Sequence, residues 1–206
     1  MGWCRWDEAG DSGPGTGVRW DEWKPVRVIG GEFRSRVLKS VPGLDTRPTP
    51  DRLREALFNV LAPRINLNRG AVFADAYAGT GAVGIEALSR GAARVIFIEQ
   101  NRHALAVIRE NLTSLGAEAR AQVLCGKVSV LLGKVEADIV FLDPPYRLER
   151  EYPIVLEALG AKPPGLVIVQ HDVRLGLEEA YGELVRARTL RQGDNVLSFY
   201  TKTAAP

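Results

Sequence analysis

Ala71-Val72-Phe73-Ala74-Asp75-Ala76-Tyr77-Ala78-Gly79-Thr80-Gly81-Ala82-Val83-Gly84 is the stretch that decides the fold. An apolar strand over residues 71–75 gives way, through a glycine-rich turn, to a helix that opens at Ala82. Glycines at 79 and 81 let the main chain approach a ligand closely. The helix start presents N–H groups that have no partner within the helix. Downstream the chain keeps alternating. Strands are expected at 94–99, 122–124, 139–143 and 166–169, and helices at 82–90, 102–115 and 151–159, with Gly91, Gly116 and Gly160 placed to end them. Apolar strands joined by crossover helices need cover on both faces, which predicts an α/β fold with a doubly wound, mostly parallel sheet. Residues 186–190 and 196–202 add an antiparallel hairpin with Gly193-Asp194-Asn195 in its turn.

The glycine loop has two readings. Gly79-x-Gly81-x-x-Gly84, with Glu99 twenty residues after the first glycine, satisfies the dinucleotide fingerprint and points to a nicotinamide or flavin enzyme. In that pattern, however, the first glycine leaves the strand almost at once to meet a pyrophosphate. Here Asp75, Ala76, Tyr77 and Ala78 intervene, and an acid at the strand tip repels a diphosphate while attracting the ammonium of a methionine moiety. Glu99, ending the next strand, can accept hydrogen bonds from the ribose hydroxyls of an adenosine. S-adenosylmethionine is therefore the expected cofactor.

Asp143-Pro144-Pro145-Tyr146 leaves the strand over 139–142 at the carboxyl edge of the sheet, where open α/β folds bind ligands. The prolines stiffen the backbone, and Pro144 holds Asp143 extended. The exocyclic amine of a nucleic-acid base is a poor nucleophile because its lone pair is delocalised into the ring. If the Asp143 carboxylate and the Pro144 carbonyl each accept one N–H, the nitrogen is drawn toward tetrahedral geometry and its lone pair is freed. Tyr146 can stack on a base swung out of its helix. As the methyl group transfers the nitrogen becomes cationic, so the same oxygens stabilise the transition state above the ground state.

The N-terminal part carries the charge. The chain has a formal net charge of +2, yet between Lys24 and Arg54 eight basic residues (Lys24, Arg27, Arg34, Arg36, Lys39, Arg47, Arg52, Arg54) face three acidic ones (Glu32, Asp45, Asp51). A basic block on an otherwise slightly acidic protein suits a phosphate backbone. Residues 26–29 and 33–38 read as strands around the Gly30-Gly31 turn. Thr49 is then placed to cap a helix beginning at Pro50, with Leu53, Leu57 and Leu61 as its apolar stripe, Arg52 and Arg54 off that stripe, and Pro63 as its stop. Residues 1–24, with all four tryptophans (Trp3, Trp6, Trp20, Trp23), read as a disordered leader. Division into 1–24, a basic RNA-facing extension over 25–64 and a catalytic domain over 65–206 follows.

At 206 residues, 46% hydrophobic and 25% charged, the chain suits one domain with an appendage. No apolar run approaches the roughly 20 residues that span a bilayer, and the first residues lack a secretory h-region, so a cytoplasmic protein is expected. Cys4 and Cys125 stand far apart without ligand-spaced neighbours, which argues against disulfides and zinc. His103 and His171 lie in no metal or nucleophile pattern. Neither a metal nor a membrane partner is expected, and the protein is taken as a monomer.

Arg27-Val28-Ile29-Gly30-Gly31, the stretch from Arg47 to Asn59 (Arg-Pro-Thr-Pro-Asp-Arg-Leu-Arg-Glu-Ala-Leu-Phe-Asn), Tyr77-Ala78-Gly79-Thr80-Gly81 and Asp143-Pro144-Pro145-Tyr146 together give the chain a likeness. It resembles the bacterial small-subunit (16S) ribosomal RNA guanine-N2 methyltransferases from about Val26 to Lys202. The resemblance implies a seven-stranded class I, Rossmann-like methyltransferase fold with S-adenosylmethionine as donor. It also implies a guanine of small-subunit ribosomal RNA, free or in a ribosomal particle, as acceptor. Asp143, Pro144, Pro145 and Tyr146 would be catalytic; Asp75, Tyr77, Ala78, Gly79, Thr80, Gly81, Glu99 and Gln100 would hold the cofactor; and Arg34, Arg36, Arg47, Arg52 and Arg54 would hold RNA. Two positions depart from the family. Cys125-Gly126-Lys127 replaces an acid that helps read adenine, leaving that task to backbone groups near Lys127 and Val128, and Gln170-His171 stands where a glutamate is common. An adenine-N6 methyltransferase, a nicotinamide-dependent oxidoreductase and a non-catalytic RNA-binding assembly factor stay open as alternatives.

Overall fold

Strands that are apolar on both faces must be covered twice, and the residue alternation of the central strands shows how this chain does it. In the computed structural model, which describes residues 26–40, 51–62, 70–145 and 148–203, five parallel strands form the heart of the sheet. They are β1 (Val72–Ala76), β2 (Arg94–Glu99), β3 (Ala121–Cys125), β4 (Ile139–Leu142) and β5 (Leu166–Asp172). A two-residue β6 (Ala180–Tyr181) and the long strands β7 (Leu184–Gln192) and β8 (Asn195–Lys202) follow. The order is β3-β2-β1-β4-β5-β8-β7-β6, with β8, β7 and β6 antiparallel to their neighbours. The doubly wound, mostly parallel sheet is thus as expected, with β6 as an eighth strand too short to leave a sequence signal.

Phe73, Phe97, Ile139, Phe141 and Ile168 face one side, against α1 (Asp51–Leu61), α2 (Ala82–Ser89) and α3 (Arg102–Leu115). Ala74, Ile98, Val140, Leu142 and Val169 face the other, against α4 (Val128–Leu131) and α5 (Glu151–Ala161). Each fully buried aliphatic or aromatic side chain contributes about 1.5–3 kcal/mol, so the two layers supply the main driving force. Because the chain winds outward from β1 to β3 and then returns to lay β4 on the opposite side of β1, the strand order reverses between β1 and β4. A crevice opens at that switch point on the carboxyl edge.

Local signals explain both ends of α3. The Asn101 side chain caps α3 by accepting from the His103 and Ala104 N–H groups, and Gly116 closes it with φ 64°. Gly160 was expected to end α5 but lies inside it. A Cβ there would sit 2.1 Å from the Tyr181 carbonyl oxygen, so the glycine serves close approach of β6 to the helix and not termination. Residues 1–24, Arg47, the Thr49–Pro50 helix start, Pro63 and Tyr146 lie outside the described residues.

The N-terminal segment differs from the simple hairpin that the sequence suggests. Only one antiparallel bridge forms, Arg27 with Val37, and residues 33–35 belong to a turn instead of a second strand. The reason is that its main chain bonds outward to α2. The wholly buried Glu86 carboxylate accepts the Ile29 and Gly30 N–H groups at 2.7 and 2.9 Å and pairs with Arg90 at 2.7 Å. Ser89 accepts Phe33 N–H on its hydroxyl and Glu32 N–H on its carbonyl. Gly31, at φ 78°, is packed so tightly that a Cβ would lie 1.8 Å from the Ser89 carbonyl oxygen. Charge-assisted hydrogen bonds of this kind are worth about 1.5–3 kcal/mol each. Glu86→Ala should therefore lower unfolding stability by about 3 kcal/mol or more in urea titrations, whereas a loss under about 1 kcal/mol would mean that the segment docks by apolar contact alone.

Candidate active site

Asp75 is the first polar residue to emerge along β1, and it emerges inward. It is 2% exposed, on the α2 face of the sheet, and its Oδ2 accepts the Gly84 N–H at 2.8 Å in the first turn of α2. Between them the chain turns through Tyr77 (φ 63°), Gly79 (φ 55°) and Gly81 (φ 81°). Left-handed backbone is natural for glycine but costs about 1–3 kcal/mol at a tyrosine. The Tyr77 hydroxyl donates to Glu151 Oε2 at 2.7 Å, tying the glycine loop to the first turn of α5. Burial, then that hydrogen bond, drives the Tyr77 pKa far upward, so the hydroxyl remains a donor.

Glu99 closes the other side of the loop. Its Oε2 accepts Gly79 N–H at 2.9 Å, while Oε1 accepts Gln100 and Asn101 N–H at 2.8 Å each. A carboxylate offers about four acceptor positions, so a ribose could find one of them still open on Oε2. Ala78 N–H donates to the Ile98 carbonyl, and Gly126 N–H to that of Glu99, which brings the start of α4 beside β2. Gln100 and Lys127 are exposed there, and Val128 is buried. Asn111, 1% exposed on α3, donates through Nδ2 to the Thr80 carbonyl at 3.4 Å and exchanges hydrogen bonds with the Lys39 main chain.

On the neighbouring strand, Asp143 follows β4 half-buried, Pro144 is buried and Pro145 half-buried. The Pro145 carbonyl accepts Leu148 N–H at 2.7 Å. Alternation along β4 puts Asp143 on the same face as Phe141, hence as Asp75. The two are close enough to interact: burial raises the Asp75 pKa well above the usual carboxylate range, the Gly84 N–H opposes this, and the charges of Asp143 and Glu99 add to it. Three carboxylates thus converge on one crevice, which calls for a cation.

Of the arginines expected to face RNA, Arg34, Arg36 and Arg52 are exposed, and Arg36 donates to the Ser114 carbonyl at 2.8 Å. Arg54 is a correction. It is fully buried, its Nη2 donating at 2.7 Å both to the Arg27 carbonyl and to Asp51 Oδ1. The buried face of α1 is wider than the leucine stripe and takes in Arg54 as a tie to the N-terminal segment, so it presents no surface for phosphate. Glu86 and Asn111 were missed as supports. A signal was present in both: Glu86 interrupts an apolar helix, and Asn111 falls on the stripe of Ala104, Ile108 and Leu112. His171 is buried, its ring nitrogens meeting the Asp172 carbonyl and the Ser198 hydroxyl.

A family model described as Conserved hypothetical protein 95 matches residues 26–201. Ribosomal RNA small subunit methyltransferase D of Escherichia coli (strain K12) is 38% identical over 156 residues, covering 74% of this chain and 77% of that protein. YlbH of Bacillus subtilis (strain 168) is 35% identical over 185 residues, covering 86% and 99%. Among solved structures, yhhF from Escherichia coli aligns with a TM-score of 0.74 at 32% identity, covering 88% of this chain and all of that one. An RNA methyltransferase from Salinibacter ruber in complex with S-adenosyl-L-homocysteine shares the fold, with a TM-score of 0.58 at 19% identity over 77% of this chain and 96% of its own. The fold is that of the class I S-adenosylmethionine-dependent methyltransferases. Within that class, the chain belongs to the Conserved hypothetical protein 95 family, alongside ribosomal RNA small subunit methyltransferase D.

The raised Asp75 pKa has a signed consequence. The folded chain keeps a proton that the unfolded chain releases near the ordinary value of about 3.9. Stability from this group is full below that pH and is lost as pH rises through the folded pKa. Asp75→Asn keeps an acceptor oxygen for Gly84 and removes the slope. Urea denaturation should show the variant gaining on the parent as pH rises from the ordinary carboxylate range through the raised Asp75 pKa; a pH-independent difference would assign the site another electrostatic balance.

Proposed function

We propose that this protein transfers a methyl group from S-adenosylmethionine to the exocyclic N2 amine of a guanine in small-subunit ribosomal RNA. The observation that carries the reading is the stiff Asp143-Pro144-Pro145 turn, set one strand from the glycine loop on the same face as Asp75. The 38% identity to Escherichia coli ribosomal RNA small subunit methyltransferase D supports the choice of RNA.

The residues suit a sulfonium nucleoside. Asp75, Glu99 and Asp143 form an acidic crevice whose mutual repulsion a cation relieves, and the loop from Tyr77 to Gly81 exposes main chain for close contact. Glu99 and Gln100, with Lys127 and Val128 beside them, stand where adenosine would be read. When bound, the donor supplies an electrophilic methyl group. Asp143 and the Pro144 carbonyl accept the two amine hydrogens and turn the nitrogen lone pair toward it. Pro145 fixes the turn and Tyr146 stacks on the base. Positive charge developing on nitrogen falls next to carboxylate oxygen, which lowers the barrier selectively. Arg34, Arg36 and Arg52, with Arg47, engage phosphates around the extruded nucleotide.

Two measurements test this. Asp143→Ala should keep donor affinity within about threefold while methyl incorporation into undermodified small subunits falls by at least about 100-fold; unchanged turnover would remove the acceptor role. Nucleoside mass spectrometry identifies the product, and N6-methyladenine, or transfer to DNA, would favour the adenine enzyme. Donor binding with no transfer to any nucleic acid would favour an assembly factor. Second, a cation favours ionised Asp75, so S-adenosylmethionine affinity should rise with pH through the raised Asp75 pKa, with proton release seen by calorimetry in buffers of different ionisation enthalpy. S-adenosylhomocysteine, lacking the sulfonium charge, should show a weaker trend.

A further inference from the structure

One buried polar group near the crevice has no partner. Gln170, on β5, is 8% exposed, and its Oε1 is wholly buried without a hydrogen bond. Buried acceptors are nearly always satisfied, and an exception at a site signals a missing ligand group. The main chain offers no relief, because Gln170 is paired with Leu197 on β8 and its carbonyl accepts the Tyr152 hydroxyl at 2.9 Å. Gln170 is held in place.

Its position is defined by register. Leu142, the last residue of β4, is paired with Val169 of β5, so Asp143 and Gln170 are the residues that follow this last pair on neighbouring chains. Alternation puts Gln170 on the face of Leu166 and Ile168, the face that Asp143 shares with Phe141 and Asp75 with Phe73. Three polar side chains therefore stand in a row on the carboxyl ends of β1, β4 and β5, and Gln170 is the member farthest from the glycine loop.

We propose that Gln170 is a specificity-determining residue whose side-chain carbonyl accepts the ring N1–H of the guanine while Asp143 holds the adjoining exocyclic amine. Guanine presents these donors side by side, so an acceptor one strand beyond Asp143 matches its edge. Adenine carries a lone pair at N1, which would face a carbonyl lone pair and leave a buried acceptor unpaired. Sites built around such a hydrogen bond reject analogues lacking it. This inference rests on the guanine reading above and assigns the discrimination to a residue outside the Asp143–Tyr146 turn.

The test compares ribosomal RNA substrates carrying guanine or 2-aminopurine at the methylated position. 2-Aminopurine keeps the amine and has no hydrogen at N1. Wild type should prefer guanine, and Gln170→Leu should lose roughly 10- to 100-fold in kcat/KM on guanine but little on 2-aminopurine, collapsing the preference. S-adenosylmethionine affinity, by calorimetry, should hold. Gln170→Glu, which still accepts at this position, should retain the preference. An unchanged guanine to 2-aminopurine ratio in a folded Gln170→Leu overturns the inference, as does loss of the preference in Gln170→Glu if the leucine variant does not fold. Should 2-aminopurine accept no methyl group from either protein, guanine alone decides: Gln170→Leu must fall further than Gln170→Glu, and equal activities overturn it. If wild type methylates no guanine, the parent reading fails and this one with it; wild-type activity with an unmoved ratio sinks this one alone.

Discussion

The buried carboxylate of Glu86 is the interaction on which the arrangement of this molecule depends. Removing an ionised carboxylate from water costs several kcal/mol, and the cost is offset only if its oxygens are well bonded. Glu86 meets that condition with two main-chain N–H groups of the N-terminal segment and the guanidinium of Arg90. Arg90 in turn lies 5.1 Å over the Phe58 ring, so the same cation reaches α1. One side chain thereby gathers the segment over 26–40, α1 and α2. Since α2 begins at the glycine loop, that contact anchors the helix about one and a half turns beyond Gly81.

At the carboxyl edge the problem is reversed: carboxylates are brought together with too little positive charge. Asp75, Glu99 and Asp143 each have local reasons to be where they are, two of them as acceptors for the loop main chain. These acceptors satisfy the N–H groups of Gly79 in the loop and of Gly84 in the first turn of α2. The same atoms that shape the crevice thus give it a charge that favours a cationic occupant. Tyr77 and Glu151 add a physical link between the loop on β1 and the helix that follows β4, joining the two halves of the crevice across the point where the strand order reverses.

The fold was legible because its signals are local and repeated. Continuous apolar strands, glycines after helices and the Asn101 cap all act within a few residues, and the expected elements fall close to the observed ones. What the sequence hid depends on which distant backbone comes near. Gly160 looks like a helix stop until Tyr181 is seen against it, and Arg54 looks solvent-facing until the Arg27 carbonyl is found over it. The predicted N-terminal strands shorten to one bridge, and beyond it the Ile29, Gly30 and Phe33 N–H groups bond to Glu86 and Ser89. For the site, the two loops were readable as motifs, whereas Asn111, Glu151 and the environment of Gln170 became visible only once the sheet placed them. A polar residue on an apolar stripe was the one hint available.

Gly31 carries a lesson about heredity and engineering. With its α-carbon pressed against the Ser89 carbonyl, the segment bearing Arg34 and Arg36 fits its seat as a key fits one lock. Its apolar residues Val28, Phe33 and Leu38 share a single core with the strands of the catalytic sheet. Such a piece does not lift out alone as a cassette, because its seat is cut into α2. A graft would have to carry the matching stretch of α2 with it, which means that the sequences of the segment and of that helix are constrained to diverge together.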